Sequence, residues 1–259
     1  MNTLIKDLIK WQKKPSRRRE DGVFITEGIK MCRELPAERI MKVVASESFA
    51  KANPADIAWF RKQTAGKKDG VIIISDTDFQ KASDTVTPQG IMAVAKAFSY
   101  DADELIAEEN GLFILLEDLQ DPGNLGTILR SSEAAGVSAV IMNETCVDIY
   151  NPKVIRATMG SFFRMKFAVV PDLKETVRKI SESGGACYAA HLKGTDSYDH
   201  ADYTGKTAFL IGNESKGLTD ELADAADRYI RIPMCGQVES LNAAMAATIL
   251  MFEAARQRR

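Results

Sequence analysis

The sequence predicts an α/β protein in two parts: a small α/β domain over residues 1–98 and a larger domain with a parallel sheet over 111–259. Three observations carry this reading. Short apolar runs alternate with helix-patterned segments along the chain, as parallel β-α-β units require. Residues 99–110 hold five acidic side chains with little to bury, which predicts a linker. Polar turns at 118–124, 212–217 and 233–240 each follow an apolar run of the C-terminal half, where open α/β sheets bind their ligands.

Taken in order, residues 3–13 read as an amphipathic helix with Leu4, Ile5, Leu8, Ile9 and Trp11 apolar. Arg17, Arg18 and Arg19 follow in an expected loop, free to reach a ligand. Val23–Ile25, Ile40–Ala45 and Val71–Ile74 read as strands, and a helix over 54–62 carries Pro54 in its first turn. In the second half, strands are expected at Leu112–Glu117, Val137–Met142, Met165–Val170, Ala186–His191, Thr207–Ile211 and 228–232. Asn124 is the expected cap of a helix that Gly136 stops, with further helices near 151–160, 172–183 and 218–226. Pro233 cannot donate to a sheet ladder, so the last strand should end at Ile232. Ser240 is the expected N-cap of a final helix in which Leu241, Ala244, Thr248 and Phe252 recur at helical spacing. The middle of that helix, Ala243–Ala247, has no charge on any face, which predicts burial against the core on one side and a second subunit on the other, hence a homodimer.

A hydrophobic content of 45% is enough for packed cores and excludes a disordered chain. No apolar run approaches the roughly 20 residues of a membrane span, and the N-terminus lacks the pattern of a signal peptide. Cys32, Cys146, Cys187 and Cys235 are scattered without paired spacing, so a cytoplasmic protein with reduced thiols is expected. Charge is uneven: residues 1–33 hold nine basic and four acidic side chains, a net of +5, which leaves −7 elsewhere in a chain of net −2. Such a basic patch can bind phosphates through counterion release. His191 and His200 lack partners at ligand spacing and read as structural or surface residues, so no metal is expected. Gly212–Gly217 lacks the order of a P-loop, and Gly123–Gly126 lacks a dinucleotide fingerprint.

Residues 115–136 read Leu-Leu-Glu-Asp-Leu-Gln-Asp-Pro-Gly-Asn-Leu-Gly-Thr-Ile-Leu-Arg-Ser-Ser-Glu-Ala-Ala-Gly, and residues 209–218 read Phe-Leu-Ile-Gly-Asn-Glu-Ser-Lys-Gly-Leu. With the segment from Ile232 to the C-terminus, they resemble in order and spacing the three motifs of the SpoU (TrmH-type) RNA ribose methyltransferases, members of the SPOUT class. Phe24-Ile-Thr-Glu-Gly28 and Thr87-Pro-Gln-Gly-Ile91 resemble, more weakly, the N-terminal substrate-binding domain often fused to such enzymes. The resemblance implies a C-terminal SPOUT domain with a deep trefoil knot and a small N-terminal RNA-binding domain. It implies S-adenosylmethionine as cofactor and methyl transfer to a ribose 2′-hydroxyl of structured RNA, ribosomal RNA above all.

Carried over residue by residue, the resemblance implies Asn124, Arg130, Glu214, Ser240 and Asn242 as catalytic positions. Arg156–Ser161 resembles an intermediate stretch of the family, with Thr158 where serine is common. A methyl donor with an adenine ring, a ribose and a sulfonium needs a partly apolar cleft with backbone donors and acceptors. Leu210, Ile211, Gly212, Asn213, Ile232, Met234 and Leu241 are the candidates for it, with Gly212 expected to let the ligand approach the backbone. Arg17, Arg18 and Arg19 are the RNA-binding candidates. Three alternatives stand beside this reading: a transfer-RNA enzyme, a base-directed enzyme of the same class, and a non-catalytic RNA-binding or antibiotic-protecting ribosome factor. Intact Arg130, Glu214 and Asn242 argue against the last.

Overall fold

The computed structural model describes residues 3–259. The apolar spacing of the first stretch becomes helix α1 (Thr3–Lys13), which buries Ile5 and Leu8. Pro15 opens α2 (Pro15–Asp21), and Gly22 closes it in the left-handed region at φ 62°. Arg17–Arg19 are thus helical and not in a loop. The chain continues through β1 (Val23–Glu27), α3 (Ile29–Glu34), β2 (Ile40–Ser46), α4 (Glu47–Ala52), α5 (Pro54–Gln63), β3 (Val71–Ile74), α6 (Asp76–Ala82) and β4 (Ile91–Lys96). Its four strands order β1-β4-β2-β3, antiparallel except for β2 against β3. Ile5, Leu8, Val44, Phe79 and Met92 form the core between the helices and this mixed sheet.

The second half begins with α7 (Ala102–Ile106), capped by Asp101, whose carboxylate accepts from Asp103 N at 2.8 Å and Glu104 N at 3.1 Å. Leu105 and Ile106 are buried in the core of this half, so the expected linker over 99–110 folds instead as part of it. The acidic side chains lie outward while two adjacent apolar residues anchor the turn. Then come β5 (Leu112–Leu116), α8 (Pro122–Ala135), β6 (Ala139–Asn143), α9 (Pro152–Ala157), β7 (Phe167–Val170), α10 (Leu173–Glu182), β8 (Ala186–Ala190), the two-residue β9 (Asp196–Ser197), β10 (Thr207–Ile211), α11 (Asp220–Ala223), β11 (Arg228–Arg231) and α12 (Ala243–Gln257). The sheet order is β7-β6-β5-β10-β8-β11-β9, and every neighbouring pair is parallel. β5 and β10 are buried at all five positions, as central parallel strands covered on both faces must be. No described helix is long and apolar enough to cross a membrane.

The division into units is not contiguous. Asp148–Phe163, with α9, packs with the N-terminal unit, and the remainder from Ser99 onward forms the other. An aromatic cluster accounts for this: the Phe24 ring lies 5.4 Å from those of Tyr150 and Phe162 and 5.9 Å from that of Phe98. A buried ion pair adds to it. Arg18 is only 3% exposed and donates through Nε (3.0 Å) and Nη2 to Asp148 and through Nη1 to the Trp11 and Gln12 carbonyls. Arg18 is therefore withdrawn from the set of RNA-binding candidates, because it is buried and each of its three guanidinium nitrogens is already engaged inside the unit.

Candidate functional site

A parallel sheet places all its strand C-termini at one end, and among the loops that emerge there are the four after β5, β8, β10 and β11. The loop after β10 closes on itself. Asn213 and Gly217 exchange backbone hydrogen bonds of 3.1 and 2.9 Å, and the Asn213 side chain accepts from Ser215 N and Lys216 N. Gly212 serves this closure. A Cβ there would stand 2.1 Å from the Gly217 carbonyl carbon and the Leu218 nitrogen. Its missing side chain makes room for the protein's own backbone.

Asp118, in the left-handed region at φ 54°, ties this loop to its neighbours. Its carbonyl accepts from Asn213 Nδ2 at 2.8 Å, and its carboxylate accepts from Asn143 Nδ2 at 2.8 Å and from the Thr145 hydroxyl. Thr145 first, then Asn143, hold that carboxyl below the ordinary range. At the β5 end, Glu117 accepts from both the nitrogen and the hydroxyl of Thr219, each at 2.7 Å.

The three motif loops meet in one hydrogen-bonded chain. Glu214 accepts from Asn124 Nδ2 at 3.0 Å, Asp121 N at 2.9 Å and Gln120 N at 3.2 Å. Asn124 Oδ1 in turn accepts from Asn242 Nδ2 at 2.9 Å. Burial raises the Glu214 carboxyl, but the Asn124 amide and the surrounding backbone N–H groups more than offset this and hold it below the usual carboxylate range. Neither expected helix cap is where the sequence put it. Asp121 caps α8 by accepting from Asn124 N at 2.8 Å, since Pro122 occupies the first turn and Asn124 falls inside the helix. Asn242 caps α12, accepting from Ala244 N and Met245 N, which leaves Ser240 out on the loop.

Beside this chain lies a cleft of about 240 Å³ whose walls include Ile211, Gly212, Asn213, Ile232, Met234, Ser240 and Leu241. Leu210 does not line it. Fully buried, it points into the sheet's core, because successive strand residues face opposite sides. The β8 end, Ala190–Leu192, forms a further wall that sequence reasoning missed, His191 included. Its position at the C-terminal end of a predicted strand of the same sheet was the available signal. Arg130 is exposed on α8 and forms no hydrogen bond or ion pair with a described residue. Arg17 is engaged with Glu20 (2.6 Å) and Asp21 (3.0 Å), and Arg19 is exposed.

Comparisons with known proteins cover both halves of the chain. Residues 2–93 match an MRM3-like substrate binding domain. The chain is 30% identical over 254 residues to the 23S rRNA (guanosine(2553)-2'-O)-methyltransferase RlmP of Bacillus subtilis (strain 168), covering 97% of this chain and 95% of that protein. It is 35% identical over 176 residues to the 23S rRNA (uridine(2479)-2'-O)-methyltransferase of Streptomyces viridochromogenes, a match to 66% of this chain that spans only 61% of that relative. The crystal structure of an AdoMet-bound rRNA methyltransferase from Sinorhizobium meliloti aligns over 98% of this chain and 95% of that one, with a TM-score of 0.86 at 29% identity. Residues 111–252, which carry all four loops and the cleft, match the SpoU rRNA Methylase family, and the chain belongs to it.

Proposed function

We propose that this chain transfers a methyl group from S-adenosylmethionine to a ribose 2′-hydroxyl of ribosomal RNA in the cytoplasm. One observation carries the reading: the Glu214–Asn124–Asn242 chain joins the three motif loops beside a cleft built from strand ends. The cleft suits the cofactor. Ile211, Ile232, Met234, Leu241 and Ala246 offer apolar surface for an adenine and a thioether, and the loop backbone supplies donors and acceptors. The cofactor supplies an electrophilic methyl group.

The chain's own residues must then orient a poor nucleophile and stabilise the negative charge that develops on it. Arg130, exposed and without a partner among the described residues, is suited to a bidentate grip on the RNA phosphate beside the target ribose. A guanidinium with a pKa above about 12 is not a base, so the hydroxyl proton leaves to that phosphate or to water. Glu214, held as a carboxylate by several donors, is a weak base and serves to position Asn124. Asn242 continues that positioning, and Ser240 stands on the cleft wall.

RNA is gathered by the N-terminal unit, with Arg17 and Arg19 as the candidates left once Arg18 is withdrawn. Dimerisation through α12 is supported by Met245 and Phe252, 54% and 42% exposed, which stand seven residues apart on one side of that helix. The deep trefoil knot rests on family membership alone.

Mapping ribose methylation in ribosomal RNA from cells with and without the gene tests the function. One 2′-O-methyl group should be lost, and the purified protein with S-adenosylmethionine should restore it. Loss of a base methylation, or of none, overturns the proposal.

A further inference from the structure

Five charged or ionisable side chains stand around the cleft: His191, Glu214, Lys216, Arg231 and Glu239. Their roles separate once the chemistry of the ligand is considered. Methyl transfer breaks an S–CH3 bond, forms an O–CH3 bond and releases the hydroxyl proton. The donor thereby goes from a sulfonium cation to a neutral thioether. Both forms keep the same α-carboxylate and α-ammonium groups. Lys216 and Arg231 can meet the carboxylate, but they do so equally for donor and product. A negative group near the sulfur can tell the two apart by charge.

Two carboxylates are available. Glu214 is occupied by donors from Asn124, Asp121 and Gln120. Glu239 is different. It lines the same cleft, is exposed, and forms no hydrogen bond or ion pair with any described residue. It sits one residue before Ser240 and two before Leu241, both of which line the cleft too.

We propose that Glu239 makes the cleft read the charge of its occupant, favouring S-adenosylmethionine over the S-adenosylhomocysteine product. This rests on the methyltransferase reading above. A permanent cation facing an unpaired carboxylate is attracted, while a neutral thioether gains nothing. The device would speed product exchange without touching the reacting atoms.

Calorimetric titration of the full-length protein tests it, with S-adenosylmethionine, S-adenosylhomocysteine and sinefungin, in which an amine-bearing carbon replaces the sulfonium. In Glu239→Gln, affinity for S-adenosylmethionine and sinefungin should fall about fivefold, the upper range for an exposed charge pair, while that for S-adenosylhomocysteine stays unchanged. Raising salt should shrink the wild-type preference toward that of the variant. Equal weakening of all three ligands would assign Glu239 to the shared α-ammonium and overturn the proposal, as would no change in any. If the wild-type protein bound none of the three, the methyltransferase reading itself would fail, which is a separate outcome. Because Glu239 is exposed and unpartnered, the melting temperature of the variant should match wild type and exclude misfolding as the cause.

Discussion

The side-chain amide of Asn242 donates to the side-chain oxygen of Asn124 at 2.9 Å, across 118 residues of sequence. The same two side chains each do a second job: Asn242 caps α12, and Asn124 donates to Glu214. A coupling test follows. Asn124→Ala and Asn242→Ala should each reduce methyl transfer at least tenfold, and the double variant should be little worse than the poorer single one. Additive losses in single-turnover rates would show that the two act independently. Asn242→Ala should also lose about 1 kcal/mol of stability from the missing cap, and Asn242→Ser should restore it.

Glu214 predicts a pH dependence. Its folded-state carboxyl titrates below the usual range, while the unfolded value is about 4.3. Its contribution to stability is therefore present above the unfolded value and disappears as pH falls through the folded one. Urea midpoints of wild type and Glu214→Gln should differ at pH 7 in favour of wild type and converge in strong acid. A gap that stays constant with pH would show that the carboxylate charge is not what the loops hold.

Arg18 and Asp148 should behave as a buried pair. Arg18→Ala leaves Asp148 without its partner and should cost roughly 3 kcal/mol or more, whereas replacing both by apolar residues recovers much of it. Arg17→Ala with Arg19→Ala should leave stability within about 0.5 kcal/mol but weaken RNA binding and flatten its salt dependence. Filter binding across salt concentrations reads the second effect, and unchanged RNA affinity would return both to the status of solvated surface.

On α12 the two faces make opposite predictions. Met245→Arg or Phe252→Arg should give a folded monomer by sedimentation, while Ala247→Arg should not fold, since Ala247 has no exposed surface. A wild-type monomer at micromolar concentration would remove the dimer.

Arg130→Ala should abolish methyl transfer while sparing cofactor binding, and Arg130→Lys should recover only part, since it keeps the charge but loses the fork. RNA carrying a neutral methylphosphonate beside the target ribose should react slowly with wild type. If the wild-type rate ignores that change, the phosphate grip is wrong.

Much of the molecule was legible in the sequence because its signals are local. Short continuous apolar runs, period-3.6 patterning, proline and glycine punctuation and the polar turns after apolar runs gave the α/β alternation, the parallel sheet and the loops that carry Asn124, Glu214 and Asn242. What tertiary structure alone decided concerns partners distant in the chain. Whether an arginine is a solvated RNA contact or a buried ion depends on a carboxylate elsewhere, and Arg18 finds Asp148 130 residues away. Residues 148–163 join the N-terminal unit because aromatic rings from both segments complete one cluster. His191 reaches the cleft wall, and Gly212 makes room for the backbone at 217–218, because of how strand ends converge. Sequence spacing fixes which face of its own element a side chain occupies, and only the assembled sheet fixes what that face meets.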